Sequence, residues 1–271
     1  MVQEIALDNI GAFTDIMRGP HLELVIGAAA ACNSAAQLWW ISRPGEASLI
    51  LLWDQGNNVL YLCGELFGEE AQRELTDLIH TRIRPRSIQI GKALFKAQAL
   101  SPSIEARMEA LFQDIPLREL PSQLYTLTSA PHVPAVEGIQ LLPIDRMLLS
   151  NAALANAEHI RAEIQWMWPS EDRFYANGFG WAAATESQLI CWCTAEYLSA
   201  ARCGIGIATV QALERRGIAT AVASQFVREA LRRGLTPYWE CRADNIGSVR
   251  VAEKLGFTLI AHERYWGGMF V

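Results

Sequence analysis

A chain of 271 residues with 51% apolar side chains, 19% charged ones and 9 tryptophans can bury a substantial core, which excludes general disorder. At the usual ~100–200 residues per domain, two compact units are expected. A net charge of −6 excludes broad non-specific nucleic-acid binding, and the longest apolar run, Leu24 to Cys32, falls far short of the ~20 residues a membrane span needs.

Glu4, Asp8 and Glu23 stand where a secretory leader would carry basic residues. The cysteines, at 32, 63, 191, 193, 203 and 241, form no Cys-x-x-Cys pair, and no histidine beside Cys191 and Cys193 suggests zinc. Buried free thiols in a reducing cytoplasm are expected, with no metal, nucleic-acid or membrane partner.

In chain order, Gln37–Ser42 and Ser48–Asp54 read as strands, and Asn57–Gly64 continues them after a Gly56-Asn57 turn. Gly68 to Ile83 reads as a helix, with Ala71, Leu75, Leu78 and Ile79 on one face. A short strand, Ser87–Ile90, is expected after a break at Pro85, then a helix opening at Pro102. Prolines 116, 121, 131 and 134 mark residues 116 to 137 as irregular and place a linker near residue 133. The expected units are therefore 1–133 and 134–271. In the second, Ile139–Ile144 is a strand and Asp145 caps a long helix towards Trp166. Trp181–Thr185 and Leu189–Thr194 form a hairpin, and Cys203–Val210 a third strand.

A turn, Gln211-Ala-Leu-Glu-Arg-Arg-Gly217, then leads into a helix from about Ile218 to Arg233, closed by Gly234. The first N–H groups of a helix have no partner within it, and its dipole places partial positive charge there. Gly217 permits close approach to the backbone, and Arg215 and Arg216 add charge, so the turn suits a diphosphate as well as an ordinary helix start. Thr236–Cys241 is a strand, and Asn245 caps a helix to Leu255 that Gly256-Phe257 ends.

This order, with Glu214-Arg-Arg-Gly-Ile-Ala-Thr220 and Asn245-Ile-Gly-Ser-Val-Arg-Val-Ala-Glu-Lys-Leu-Gly-Phe257, resembles the GNAT superfamily of acetyltransferases over residues 137–271. Cys191-Trp-Cys-Thr-Ala-Glu-Tyr197, Ile207-Ala-Thr209, Ala219–Ser224 and Trp239-Glu-Cys241 resemble the branch that includes zwittermicin A resistance acetyltransferases. The resemblance implies a mixed α/β fold, its mostly antiparallel sheet flanked by helices, with acetyl-CoA as cosubstrate. It implies that Ile207, Ala208 and Thr209 pair with the pantetheine arm. It also implies that amides from Arg215, Arg216, Gly217, Ile218, Ala219 and Thr220 hold the pyrophosphate, and that Asn245 and Ser248 touch the arm. Gly206 is expected to mark a bulge that opens the two strands. Glu214 departs from the family's Arg or Gln, and Ala252 stands where many relatives carry a general-acid tyrosine.

The implied reaction is attack of a primary amine of a small molecule on the thioester. Glu196, then Glu240, are the candidate bases, and Tyr238 and Tyr265 the candidate acids. Trp166, Trp168, Asp172, Phe174 and Tyr175 are either an acceptor-side cluster or plain core. A non-catalytic acyl-CoA-binding module and a protein N-acetyltransferase are the alternatives. The first half carries a similar strand–helix order without the Arg-rich turn, as a degenerate copy of the same fold or an unrelated α/β cap would.

Overall fold

The computed structural model describes residues 2–41 and 48–271, so Ser42, expected to end a strand, lies outside the described residues. Two compact units are present. The first comprises Met1–Ala30, Ser34–Ser122 and Glu263–Val271; the second comprises Ala31–Asn33 and Gln123–His262. The border therefore falls between Ser122 and Gln123, and the proline-rich stretch around residue 133 is an irregular segment inside the second unit. A proline removes one backbone donor, and that need not be where packing stops.

The first unit opens with strand β1 (Val2–Ile5) and helix α1 (Pro20–Ala30), followed by an antiparallel meander of β2 (Ala36–Ile41), β3 (Leu49–Asp54) and β4 (Val59–Gly64). All of Leu49–Asp54 is buried, as expected of an apolar run covered on both faces. Helix α2 (Glu69–Leu78) widens into a π turn at Ile79–Ile83 and continues as α3 (Arg84–Gln89). The expected strand Ser87–Ile90 is thus helical. Pro85 stands directly after the π turn, at the first positions of α3, and the chain stays helical through it. The strand comes later, as β5 (Leu94–Ala99), parallel to β4. Two short helices follow, α4 (Pro102–Glu105) and α5 (Met108–Phe112), and Trp266–Met269 near the chain end pairs antiparallel with β5. Leu51, Trp53, Leu62, Leu75, Ile79 and Phe112 are fully enclosed in its core.

The chain enters the second unit within β6 (Arg118–Thr126), which runs straight through Pro121 despite the expectation of irregular chain there. Extended backbone accepts proline's φ, and only a donor is lost. β7 (Gln140–Pro143) follows, and the Asp145 carboxylate caps α6 (Arg146–Leu149) by accepting from Leu148 N–H at 2.7 Å. The single long helix expected there is two: a non-helical stretch from 150 to 156, ending on Asn156 at φ 73°, separates α6 from α7 (Ala157–Met167). Helix α8 (Glu171–Asn177), capped by Ser170, was not expected. Strands β8 (Gly180–Ala184), β9 (Leu189–Leu198) and β10 (Arg202–Thr209) form an antiparallel meander. Helix α9 (Ile218–Arg232) leads to β11 (Thr236–Arg242), parallel to β10, then to α10 (Ile246–Lys254) and β12 (Thr258–Met269). The strand order is β6-β11-β10-β9-β8-β7. Both units thus run through helix, antiparallel meander, helix, parallel strand and short helix in the same sequence. The six cysteines are free; five are buried, whereas Cys32 is exposed, against expectation.

Candidate functional site

Parallel pairing of β10 with β11 covers only Arg202↔Thr236, Cys203↔Pro237 and Gly204↔Tyr238. Past that vertex β10 stays on β9 as far as Thr209↔Cys191, while β11 runs on to Arg242. The strands therefore splay, leaving an unpaired edge of backbone N–H and C=O groups along Ile205–Thr209. The register shift in β10 lies between Cys203 and Ile205, not at Gly206, which pairs regularly with Thr194. Glycine at 206 makes room for another group: a Cβ there would lie 2.7 Å from Cγ of Glu196, whose side chain crosses the backbone at that point.

The splay opens into a cavity of about 650 Å³ whose walls are Ile207 and Thr209, Trp239, the first turn of α9 and one face of α10. Arg215 (φ 62°) and Gly217 (φ 80°) both take left-handed backbone, which turns the chain sharply into α9. The first intrahelical bond runs from Ala221 N–H to Gly217 O at 3.1 Å, so the N–H groups of Ile218, Ala219 and Thr220 precede it. No side chain of the described residues caps this helix, and nothing lies within 4 Å of where a Gly217 Cβ would be. An uncapped helix start with an open approach is an anion cradle. The residues present therefore fit a diphosphate.

Of the expected binding residues, Ile207, Thr209, Arg215, Gly217, Ile218 and Ala219 line the cavity, as do Thr220, Asn245 and Ser248. Ala208 and Arg216 do not; strand alternation turns Ala208 to the opposite face, so it offers backbone alone. Asn245 Oδ1 accepts from Ser248 N–H at 3.2 Å, and Ser248 Oγ accepts from the Trp239 indole at 2.9 Å. Arg250 and Lys254, one helical turn apart on α10, also line the cavity and were missed in sequence; their own i, i+4 spacing within the helix that Asn245 caps was the available signal. Glu214 is the single acid in the lining. Ala252 is fully buried, so that position faces the core.

Glu196 and Glu240 lie on the other face of the sheet. Gly206 shares that face with Thr194, its β9 partner, and alternation puts Tyr238 and Glu240 there as well, opposite Trp239. Glu163 on α7 faces the same surface and had no sequence signal beyond its helical phase. Its carboxylate accepts from the Trp192 indole at 2.6 Å and from Thr194 Oγ1 at 2.7 Å. Burial pushes this carboxyl above its ordinary range, and the two hydrogen bonds oppose the shift. Tyr265 is elsewhere: it belongs to the first unit, where its hydroxyl donates to Glu263 at 2.7 Å and meets His21 Nδ1 at 3.2 Å. The structure does not bring it to the cavity. Trp168 and Phe174 are core, packed edge to face at 5.4 Å, whereas Trp166 is exposed and Asp172 pairs with Arg146. Among the described residues no group of three His, Cys, Asp or Glu side chains is placed to hold a metal, and no helix is long and apolar enough to cross a membrane.

A splayed parallel pair meeting an uncapped helix start defines a protein built to hold an extended, anionic cosubstrate. The GNAT acetyltransferase family model matches residues 64–265, and the chain belongs to that family. An uncharacterized N-acetyltransferase of Bacillus subtilis, YdfB, is 29% identical over 133 residues, which is 49% of each chain; the match spans about half the length of that relative. Among solved structures, a GCN5-related N-acetyltransferase-like protein from Streptococcus suis aligns at TM-score 0.68 and 15% identity, over 96% of this chain and 98% of its own. A tandem GNAT protein from the clavulanic acid biosynthesis pathway aligns at TM-score 0.56 and 14% identity, over 100% and 99%. At these identities the likeness is one of fold.

Proposed function

We propose that the second unit is an acetyl-CoA-dependent N-acetyltransferase acting on a primary amine of a small molecule. The observation that carries this is the opening of the β10–β11 splay and the uncapped start of α9 into one cavity. The α9 amides and Arg215 would hold the pyrophosphate, and the unpaired edge of Ile207–Thr209 would pair with the pantetheine arm. Arg250 and Lys254 would add positive charge, offsetting Glu214. Bound there, acetyl-CoA supplies an acyl group activated as a thioester.

On the opposite face Glu196, lying over Gly206 beside the vertex, takes the proton of the amine as its nitrogen bonds to the acyl carbon and the C–S bond breaks. A β10 N–H stabilises the oxyanion, and Tyr238 at the vertex returns a proton to the departing thiolate. Glu240 is the second base. The likeness of Cys191–Tyr197 and Trp239–Cys241 to the zwittermicin A resistance branch supports a small-molecule acceptor. Calorimetric titration with acetyl-CoA, using wild type and Gly217→Glu, tests the reading: binding that the substitution removes supports it, and failure of the wild type to bind overturns it. A screen of amines and peptides then separates small-molecule from polypeptide acceptors.

A further inference from the structure

The cavity has two unlike ends. At one, α9 begins with free amides and Arg215; at the other, Trp239, the first residue of β11 past the vertex, lines the cavity together with Ile207 and Val251. Since α9 follows the end of β10 and runs back along it, these ends are separated by the length of Ile205–Thr209, about 13 Å at ~3.3 Å per residue. Trp239 is only 1% exposed, and its indole is held twice: Nε1 donates to Ser248 Oγ at 2.9 Å, and its ring meets Phe257 edge-on at 5.6 Å. Ile205, the first unpaired residue on the facing strand, is buried on the same side of the sheet. A side chain held by a hydrogen bond on one flank and a ring on the other does not swing aside at low cost.

We propose that Trp239 sets the acyl-chain length this site accepts. The inference rests on the donor-site reading above. With the diphosphate at the α9 end, the acyl tip of the cosubstrate lies at the Trp239 end, where the fixed indole leaves room for a two-carbon acyl group and meets a longer chain. Ser248 and Phe257 are positioning residues in this arrangement, acting through the indole.

The test is calorimetric, with CoA, acetyl-CoA and hexanoyl-CoA titrated into wild type, Trp239→Ala and Trp239→Leu. The readout is the ratio of hexanoyl-CoA to acetyl-CoA affinity within each protein. Wild type is expected to favour acetyl-CoA by about tenfold or more, the scale on which an apolar pocket rejects extra methylenes. Trp239→Ala is expected to bring the ratio to unity or reverse it. Trp239→Leu, which keeps an apolar contact with Phe257, gives an intermediate ratio and serves if the alanine variant does not fold. If CoA binds all the proteins and the ratio does not move, the gate is wrong and the donor site stands. If CoA binds none of them, the donor site falls and the gate with it.

Discussion

In the first unit β4 and β5 are zipped from Val59↔Lys96 to Leu62↔Ala99, with Leu100 N–H bonded to Leu62 O at 2.9 Å. In the second, β10 and β11 part after Gly204 and Tyr238. Both following helices open on a left-handed glycine with free space around it, Gly68 at φ 74° and Gly217 at φ 80°. Yet Glu69 and Glu70 occupy the first turn of α2, whereas the first turn of α9 carries no acid. Two carboxylates there satisfy the dipole and would repel a phosphate. The same succession of elements thus holds one open slot and one closed one. The difference lies in strand pairing past the vertex and in the charge of one helical turn. We propose that the first unit is a copy of the fold without a donor site, so each chain binds one acetyl-CoA.

The largest expected effect is on catalysis. Glu196→Gln should lower kcat by about 10²–10⁴-fold, the usual worth of a general base, while calorimetry still reports acetyl-CoA binding. An unchanged kcat would move the role to Glu240. Next comes the cradle: Gly217→Glu should weaken acetyl-CoA binding about 100-fold or more, because like charges brought together cost several kcal/mol. The matched Gly68→Glu should leave binding and its stoichiometry of one untouched; a second equivalent in wild type would refute the closed slot. Gly206→Ala is milder. The new methyl would push the Glu196 side chain off the backbone, and kcat should fall about tenfold with acetyl-CoA affinity retained, as misplacing a catalytic group does.

Much of this was legible where one local signal sufficed. Gly217 after an arginine pair, and Asn245 three residues before Ser248, announce helix starts, and the apolar rows of α9 fit one amphipathic face. What escaped depends on partners distant in sequence. Glu163 reads as a solvated glutamate until Trp192 and Thr194, on another element, are seen to donate to it. The strand Leu94–Ala99 carries Lys96 and Gln98 and no β-branched residue, so its pairing with β4, not its propensity, makes it a strand. Tyr265 looked like a candidate acid because nothing in the sequence shows that its strand ends in the other unit. The splay is a matter of where hydrogen bonds stop, which no residue type states.

The smallest effect tests why the closed slot stays closed. Asn58, at φ 51°, ties the β3–β4 turn to the start of β5: its Nδ2 donates to Lys92 O at 2.7 Å and Leu94 O at 2.8 Å, and its own carbonyl accepts from Lys96 N–H at 3.0 Å. Lys92 completes the knot, its ammonium donating to Gly56 O at 2.6 Å beside Asp54. Burial lowers its pKa from 10.5 to about 8, with Asp54 opposing the shift. Between those two values the unfolded chain binds a proton that the folded one has released, so stability rises with pH across this window. Urea denaturation of wild type and Lys92→Met should therefore diverge between about pH 8 and 10.5, the wild type gaining relative to the variant. Parallel curves would mean that the ammonium is as well solvated folded as unfolded, and the zipping of β4 to β5 would then rest on Asn58 and the ladder alone.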